Sequence, residues 1–354
     1  MTFRARALVM WAVLLAVAIP VHAAAPNHSL RSGSGLALAG ADAAVVIRAV
    51  LSAPALVDYE GTKILTSLRG ERAETVTILE SYKRSGRLRL EFLSPESTSG
   101  RLIVDDGASS WHYEPSLHVV IRGPSFVSAQ SQADTAAILR RYDVNVLGTE
   151  QVIGRQTVVL NLVPKMRQLT RRLWVDQETG VVLRTEERTQ GGELLFNSFF
   201  SRISYSLNLP SSLFRFHLPA GARIFSFYLS GDPITDPQEL SRQAKFAVRA
   251  PARVGIGYGF RSGSVARYGA FMAVSLLYSD GVNVVSVFQT PSARMASPEI
   301  GTPIAMRTGR GRWLDLGYFR MLTWQSEGIS FAIMGTLDPQ ALVAIAEELN
   351  AGTR

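Results

Sequence analysis

Alternation of apolar and polar positions runs through most of this chain between Val57 and Phe216. Residues 171–200, RRLWVDQETGVVLRTEERTQGGELLFNSFF, carry it most plainly. Read in twos, they predict three strands, Arg172–Asp176, Val181–Arg188 and Leu194–Phe200. The turns between them are Gln177-Glu178-Thr179-Gly180 and Gln190-Gly191-Gly192-Glu193, and a glycine in each can supply the positive φ of a tight hairpin. Arg184, Glu186 and Arg188 occupy alternate positions of the middle strand, which predicts a face turned to water. The stretch is an antiparallel meander that presents a surface.

Upstream, the same period predicts strands over 59–65, 75–84, 87–93, 101–105, 110–113, 117–121, 145–153 and 156–164. With the meander this makes about ten strands joined by short turns, a wide and curved antiparallel sheet. Two helices interrupt the period of two. Ala43, Val46, Ile47, Val50 and Leu51 recur at helical spacing, with Asp42 as cap and Pro54 as stop. Asp134 to Tyr142 is the second, with Ala137, Ile138 and Leu139 apolar.

Residues 219–247 read as a connector, opened by His217-Leu218-Pro219 and containing one more strand pattern from Arg223 and a short helix begun by Asp236-Pro237. Residues 248–350 read as a second, smaller α+β unit. Ala270–Tyr278 and Val282–Phe288 pair around Ser279-Asp280-Gly281, Arg312–Thr323 and Ile329–Met334 add strand, and Asp338–Leu349 is a capped amphipathic helix.

The N-terminus changes the picture of where such a sheet works. Arg4 and Arg6 precede an apolar run from Ala7 to Ile19, Pro20 ends it, and small residues follow around Ala23. Residues 1–25 are thus expected to be a signal peptide, and the mature chain to be exported. The chain contains no Cys, which excludes disulfides, thiolate chemistry and cysteine metal sites. A formal charge of +8 without a run of five Lys or Arg suits anionic partners in general, such as lipid headgroups or acidic peptides, rather than nucleic acid.

Candidate chemistry is sparse. His112 and His118 stand six apart with no third ligand at a metal-site spacing. No Gly-x-Ser-x-Gly elbow occurs between a strand and a helix. Gly255-Ile256-Gly257-Tyr258-Gly259 lacks both the third glycine and the following helix of a phosphate loop, and reads as tight turns. Two features stand out. Aromatic residues recur in the sheet, among them Phe92, Trp111, Tyr113, Phe126, Trp174 and Phe196, as core or as an apolar lining for a ligand. And Lys165, Arg167, Arg171 and Arg172 fall within eight residues, read as a loop that joins two strands, able to meet carboxylate or phosphate. The expected binding residues are therefore Trp111, Tyr113, Lys165, Arg167, Arg171, Arg172, Trp174 and Phe196. No catalytic residue, metal or cofactor is expected.

Four motifs in register resemble the RseB/MucB family of periplasmic sigma-E regulators: Trp174-Val175-Asp176 with Glu178-Thr179-Gly180; Tyr59-Glu60-Gly61-Thr62 after the leading helix; Tyr278-Ser279-Asp280-Gly281 before Val285-Ser286-Val287-Phe288; and Ile333-Met334-Gly335, Leu337 and Pro339 before the final helix. The resemblance implies an α+β fold: an N-terminal antiparallel half-barrel like that of the LolA/LolB lipoprotein carriers, wrapped around helices over residues 41–218, and the smaller C-terminal α+β domain over 248–350. It implies a non-enzymatic regulator that binds the periplasmic part of a membrane anti-sigma factor and blocks its proteolysis. Release would follow envelope-stress ligands, lipopolysaccharide or lipoprotein acyl chains. A lipid or lipoprotein carrier is the competing expectation, and self-association stays open.

Overall fold

The structure is a computed structural model. It describes residues 38, 40–69, 72–84, 86–125, 127, 135–165, 169–205, 207–226, 232–255, 257–268, 271–280, 284–291, 301–315, 320–335, 337 and 339–351. The expected signal peptide, Phe126, Arg167 and the Asp338 cap lie outside these residues.

Among the described residues the chain divides into two units. One takes residues 38–121 and 125–224, the other 225–351 with 122–124. The first begins with α1 (Ala43–Leu56), whose Asp42 side chain accepts from Val45 N at 2.9 Å. The helix does not stop at Pro54. That proline lies in its last turn, and Val57 N–H closes the end on Ala53 O at 3.0 Å. The proline has no N–H to give to Val50 O, and the helix ends within three residues of it.

Strands β1 (Tyr59–Arg69), β2 (Arg72–Lys83), β3 (Arg87–Ser94), β4 (Leu102–Asp105), β5 (Ser109–Glu114) and β6 (Val119–Pro124) follow as a meander. Helix α2 (Thr135–Arg141) then carries the chain to the far edge. From there β7 (Tyr142–Val152), β8 (Arg155–Pro164), β9 (Leu169–Asp176), β10 (Val182–Thr189) and β11 (Leu194–Tyr205) return, and β11 pairs with β1. With β12 (Arg223–Ser226) beside β6, the order is β12-β6-β5-β4-β3-β2-β1-β11-β10-β9-β8-β7, a twelve-stranded sheet curled as a half-barrel. Neighbouring strands pair antiparallel, as β1 does with β2 and β11, β2 with β3, β7 with β8 and β8 with β9.

The register separates the two faces. Tyr59, Lys63 and Leu65 of β1 lie opposite Tyr82, Ile78 and Val76 of β2. Ile78 and Tyr82 continue into Phe92 and Leu88 of β3. All of these are buried. Tyr59 stacks on Tyr82 at 5.4 Å between centroids and meets Phe200 edge-on at 5.8 Å. Gly61 lies beneath that ring: a Cβ there would stand 2.7 Å from Phe200 Cδ1 and 2.5 Å from Arg202 O. Burial of these apolar side chains is the main stabilising term of the unit.

The second unit has α3 (Pro237–Ala244), capped by Asp236 onto Gln238 N at 2.9 Å, within the stretch read as a connector. Its sheet comprises β13 (Arg253–Val254), β14 (Tyr258–Tyr268), β15 (Phe271–Ser279), β16 (Val284–Thr290), β17 (Thr302–Met306), β18 (Gly309–Asp315), β19 (Arg320–Ser326) and β20 (Ile329–Gly335). The order is β13-β14-β15-β16-β20-β19-β18-β17. The stretch read as strand from Arg312 to Thr323 falls in two antiparallel strands, β18 and β19. Helix α4 (Pro339–Ala351) buries Leu342, Ile345, Ala346 and Leu349. No described helix is long and apolar enough to cross a membrane.

Candidate binding surface

The pairing register places the expected binding residues that lie in strands. Phe196 opposes Glu187, and Glu187 opposes Arg171, so the three form one row across β11, β10 and β9. Phe196 and Glu187 are buried. Arg171 donates to Glu187 Oε1 through Nε at 2.9 Å and through Nη2 as well. Arg171 and Arg172 are thus strand residues, not part of an exposed loop. Only the segment between Pro164 and Leu169 joins the strands.

Arg172 and Trp174 sit at alternate positions of β9 and face the other way, opposite Glu186 and Arg184. The Trp174 ring is 3% exposed. Its indole N–H donates to Glu150 Oε2 at 2.7 Å, and the Arg184 guanidinium lies 4.5 Å from the ring centroid. Glu186 is also 3% exposed. It is held between Arg184 and Arg188, whose Nε donates at 2.9 Å. The face read as turned to water is therefore sealed by its own ion pairs. The arginine stems cover the carboxylate they neutralise, which alternation alone does not reveal.

Trp111 and Tyr113 lie on β5, seven steps along the strand order from β9, roughly 33 Å measured along the curved sheet at ordinary strand spacing. Trp111 stacks on Phe216, with centroids 5.3 Å apart and planes 4° from parallel. Tyr113 Oη is 3.2 Å from His118 Nδ1, and His118 Nε2 is 2.9 Å from the Ala220 carbonyl oxygen. A carbonyl only accepts, so Nε2 carries the proton and Nδ1 accepts from the tyrosine. Lys165 is exposed, 3.5 Å from Asp143 Oδ1 and 3.3 Å from Leu139 O. The structure thus brings Arg171 together with Phe196 on one face and Arg172 with Trp174 on the other. Trp111 and Tyr113 stand apart from both pairs.

A buried polar cluster escaped the sequence reading. Lys63 Nζ lies 2.7 Å from Glu80 Oε2, with the two side chains 1% and 0% exposed. Tyr59 Oη donates to Glu80 Oε1 at 2.7 Å, and the Lys63 ammonium stands 4.3 Å from the Phe200 ring centroid. Burial pulls the Lys63 pKa down against the opposing pull of Glu80. Burial, then the Glu80 charge, raises that of Tyr59. Further along the same face, His112 Nε2 is 3.3 Å from Ser110 Oγ, and burial pushes the imidazole pKa down to about 3. A signal was present. Lys63 shares its alternate set with Tyr59 and Leu65, and Glu80 shares its own with Ile78 and Tyr82.

The turn after β9 is organised by Asp176, which is 1% exposed. Its carboxylate accepts from Arg155 Nε at 2.6 Å, Thr179 Oγ1 at 2.9 Å, Tyr205 Oη at 3.0 Å and Glu178 N at 3.0 Å. Gly180 has φ +74°, and a Cβ there would come within 2.7 Å of Ala49 O of α1. The Trp-x-Asp-x-x-Thr-Gly motif thus fixes a hairpin against the first helix.

A twelve-stranded antiparallel half-barrel with helices, followed by a second α+β unit, defines the class of protein. Within that class, residues 42–215 match the MucB/RseB N-terminal domain. The chain thus carries an N-terminal domain of the MucB/RseB family. A crystal structure of MucB is similar along 88% of this chain and 96% of its own, at 16% identity and a TM-score of 0.52, so the fold is shared. The complex of Pseudomonas aeruginosa MucA and MucB covers 86% and 96% at 16% identity and a TM-score of 0.48. An uncharacterized protein of Methanocaldococcus jannaschii, MJ0687, is 22% identical over 301 residues, 81% of this chain and 85% of that one.

Proposed function

We propose that this protein is a non-enzymatic periplasmic regulator that binds the periplasmic part of a membrane anti-sigma factor and shields it from proteolysis. The observation that carries the reading is the MucB/RseB domain over residues 42–215, continued by a second unit as in MucB. A MucB has been solved in complex with MucA(peri), which supports a partner of the same kind here. Envelope-stress ligands, lipopolysaccharide or lipoprotein acyl chains, would release the partner. Trp111, Tyr113, Lys165, Arg167 and Arg172 remain the proposed contact residues, with buried Trp174 supporting them from within β9 and Arg171 and Phe196 from the opposite face. A lipid or lipoprotein carrier would need the half-barrel alone, whereas the regulator reading gives the second unit a use.

The test is protection. The mature protein is mixed with the periplasmic segment of the host's own membrane anti-sigma factor and with the envelope protease that cleaves it. Slowed cleavage, together with a complex on gel filtration, is the expected result. Cleavage at an unchanged rate with no complex rejects the reading, and acylated cargo co-purifying without detergent would favour the carrier.

A further inference from the structure

Four strands end the two sheets, and three of them are poor templates for another chain. β12 is four residues long and β13 two, while β17 carries Pro303, which has no N–H to give. The fourth, β7, runs for 11 residues, YDVNVLGTEQV, without Pro, Lys or Arg. Those are among the devices by which sheet edges are ordinarily closed to outside strands; of the others, β7 has a single bulge, which interrupts the edge at one point. Residues 145–151 are all exposed. Val146 and Leu147 are 36% and 52% exposed, at the bulge between Val146 and Gly148. Just past the strand, Ile153 has φ +47° and is 40% exposed. A β-branched residue in the left-handed region is strained, and Asn or Gly is the usual choice at such a hairpin position. An exposed, strained, apolar residue kept there points to a contact outside the fold.

We propose that β7 is a docking edge on which an extended segment of the anti-sigma partner adds as a thirteenth strand, packing apolar side chains on Val146, Leu147 and Ile153. The proposal rests on the regulator reading above. Main-chain hydrogen bonds along the edge supply affinity and alternate side chains supply selectivity. Charge decides the occupant. The charged residues of β7 are Asp143 and Glu150. Lys165 stands by Asp143 at 3.5 Å, but Glu150 takes the neutral indole N–H of Trp174, and among the described residues no cation pairs with it. Antiparallel pairing of β7 with a second copy about its apolar centre would set Asp143 opposite Glu150 twice, an unfavourable arrangement. A neutral-to-basic partner segment meets no such opposition.

The test follows amide hydrogen exchange of the full mature chain, alone and bound to the periplasmic segment of its anti-sigma partner. Alternate amides between Asn145 and Gln151 are expected to exchange at least about tenfold more slowly in the complex. The double variant V146K/L147K, changed at exposed positions, is expected to keep its melting temperature and bind the segment at least about tenfold more weakly, lysine being the natural guard of an edge. I153N is expected to melt higher and bind less. A complex of undiminished affinity with β7 amides unchanged overturns the docking edge and leaves the regulator reading standing. No complex at all overturns both. Protection of β7 that grows with the concentration of the chain alone would give the edge to a second copy and overturn the proposal. Were the lysine variant to misfold, the exchange pattern of the unaltered chain decides.

Discussion

Trp174 carries three interactions at once: a buried ring, a hydrogen bond to Glu150 and the stacked Arg184 guanidinium. Trp174→Ala should cost about 3–5 kcal/mol, the range for emptying a buried aromatic site, read by urea denaturation. A loss under about 1 kcal/mol would show that the site collapses without the ring. His112 makes a different kind of prediction. Its folded pKa of about 3 lies below the ordinary histidine value, with burial the cause. Above pH 6.5 the imidazole is neutral folded and unfolded, so it contributes no slope. Below that the unfolded chain gains a proton that the folded one refuses, so stability falls by about 1.4 kcal/mol per pH unit down to the folded pKa. The difference in stability between wild type and His112→Gln, measured from pH 7.5 to pH 4.5, should therefore change with this slope below pH 6.5. Parallel curves would show that His112 protonates inside the fold.

At the scale of the element, β1 and β2 were legible as strands but not as carriers of a buried ion pair. Alternation sorted Lys63 with Tyr59 and Leu65, yet a lone lysine in such a set reads locally as an edge or a solvated position. What settles the matter is Glu80, diagonal to it on the neighbouring strand and 17 residues on, and the Phe200 ring above, contributed by a strand from the far end of the domain. The same limit made Arg184, Glu186 and Arg188 look like a wet face. A period of two says that two faces exist, not what covers either. Strand β14, with Gly263, Ser262 and Ser264 at its centre, offered no alternation to read. Lys63→Met should cost about 3–5 kcal/mol by leaving Glu80 buried and unpaired, and adding Glu80→Gln should restore most of it. An equal loss in the double variant would place the cost in packing. On β9 the neighbours Arg171 and Arg172 separate by face. Arg171→Glu sets a second carboxylate against buried Glu187 and should cost several kcal/mol, about 3–5. Arg172→Ala leaves the Glu186 pairs with Arg184 and Arg188 in place, and should leave the melt nearly unchanged and weaken partner binding. Unchanged affinity in the second variant removes Arg172 from the contact surface.

At the scale of the whole molecule, the question is where the first domain ends. The family match stops at residue 215 and the pattern of strands suggested 218, but the sheet itself continues. Lys83 and Arg89 Nη1 donate to the carbonyls of Leu209 and Leu213, Trp111 stacks on Phe216, His118 Nε2 donates to Ala220 O, and Arg223 N donates to His118 O at 3.1 Å. Residues 209–223 are thus stitched to the half-barrel by side chains as well as main chain, and β12 then covers the edge of β6. A fragment cut after Ser226 keeps every one of these bonds. A fragment cut after Leu218 loses the His118 and Arg223 bonds and uncovers β6, with Val119, Val120 and Ile121 all buried in the intact chain. Each lost hydrogen bond is worth about 0.5–1.5 kcal/mol, and 1 kcal/mol shifts the melting temperature of a domain this size by about 2–4 °C. The 38–226 fragment should therefore melt cooperatively and several degrees above 38–218, the latter also aggregating through its bared edge. Circular dichroism melts with light scattering check both parts. Equal melting temperatures would return residues 219–226 to the connector.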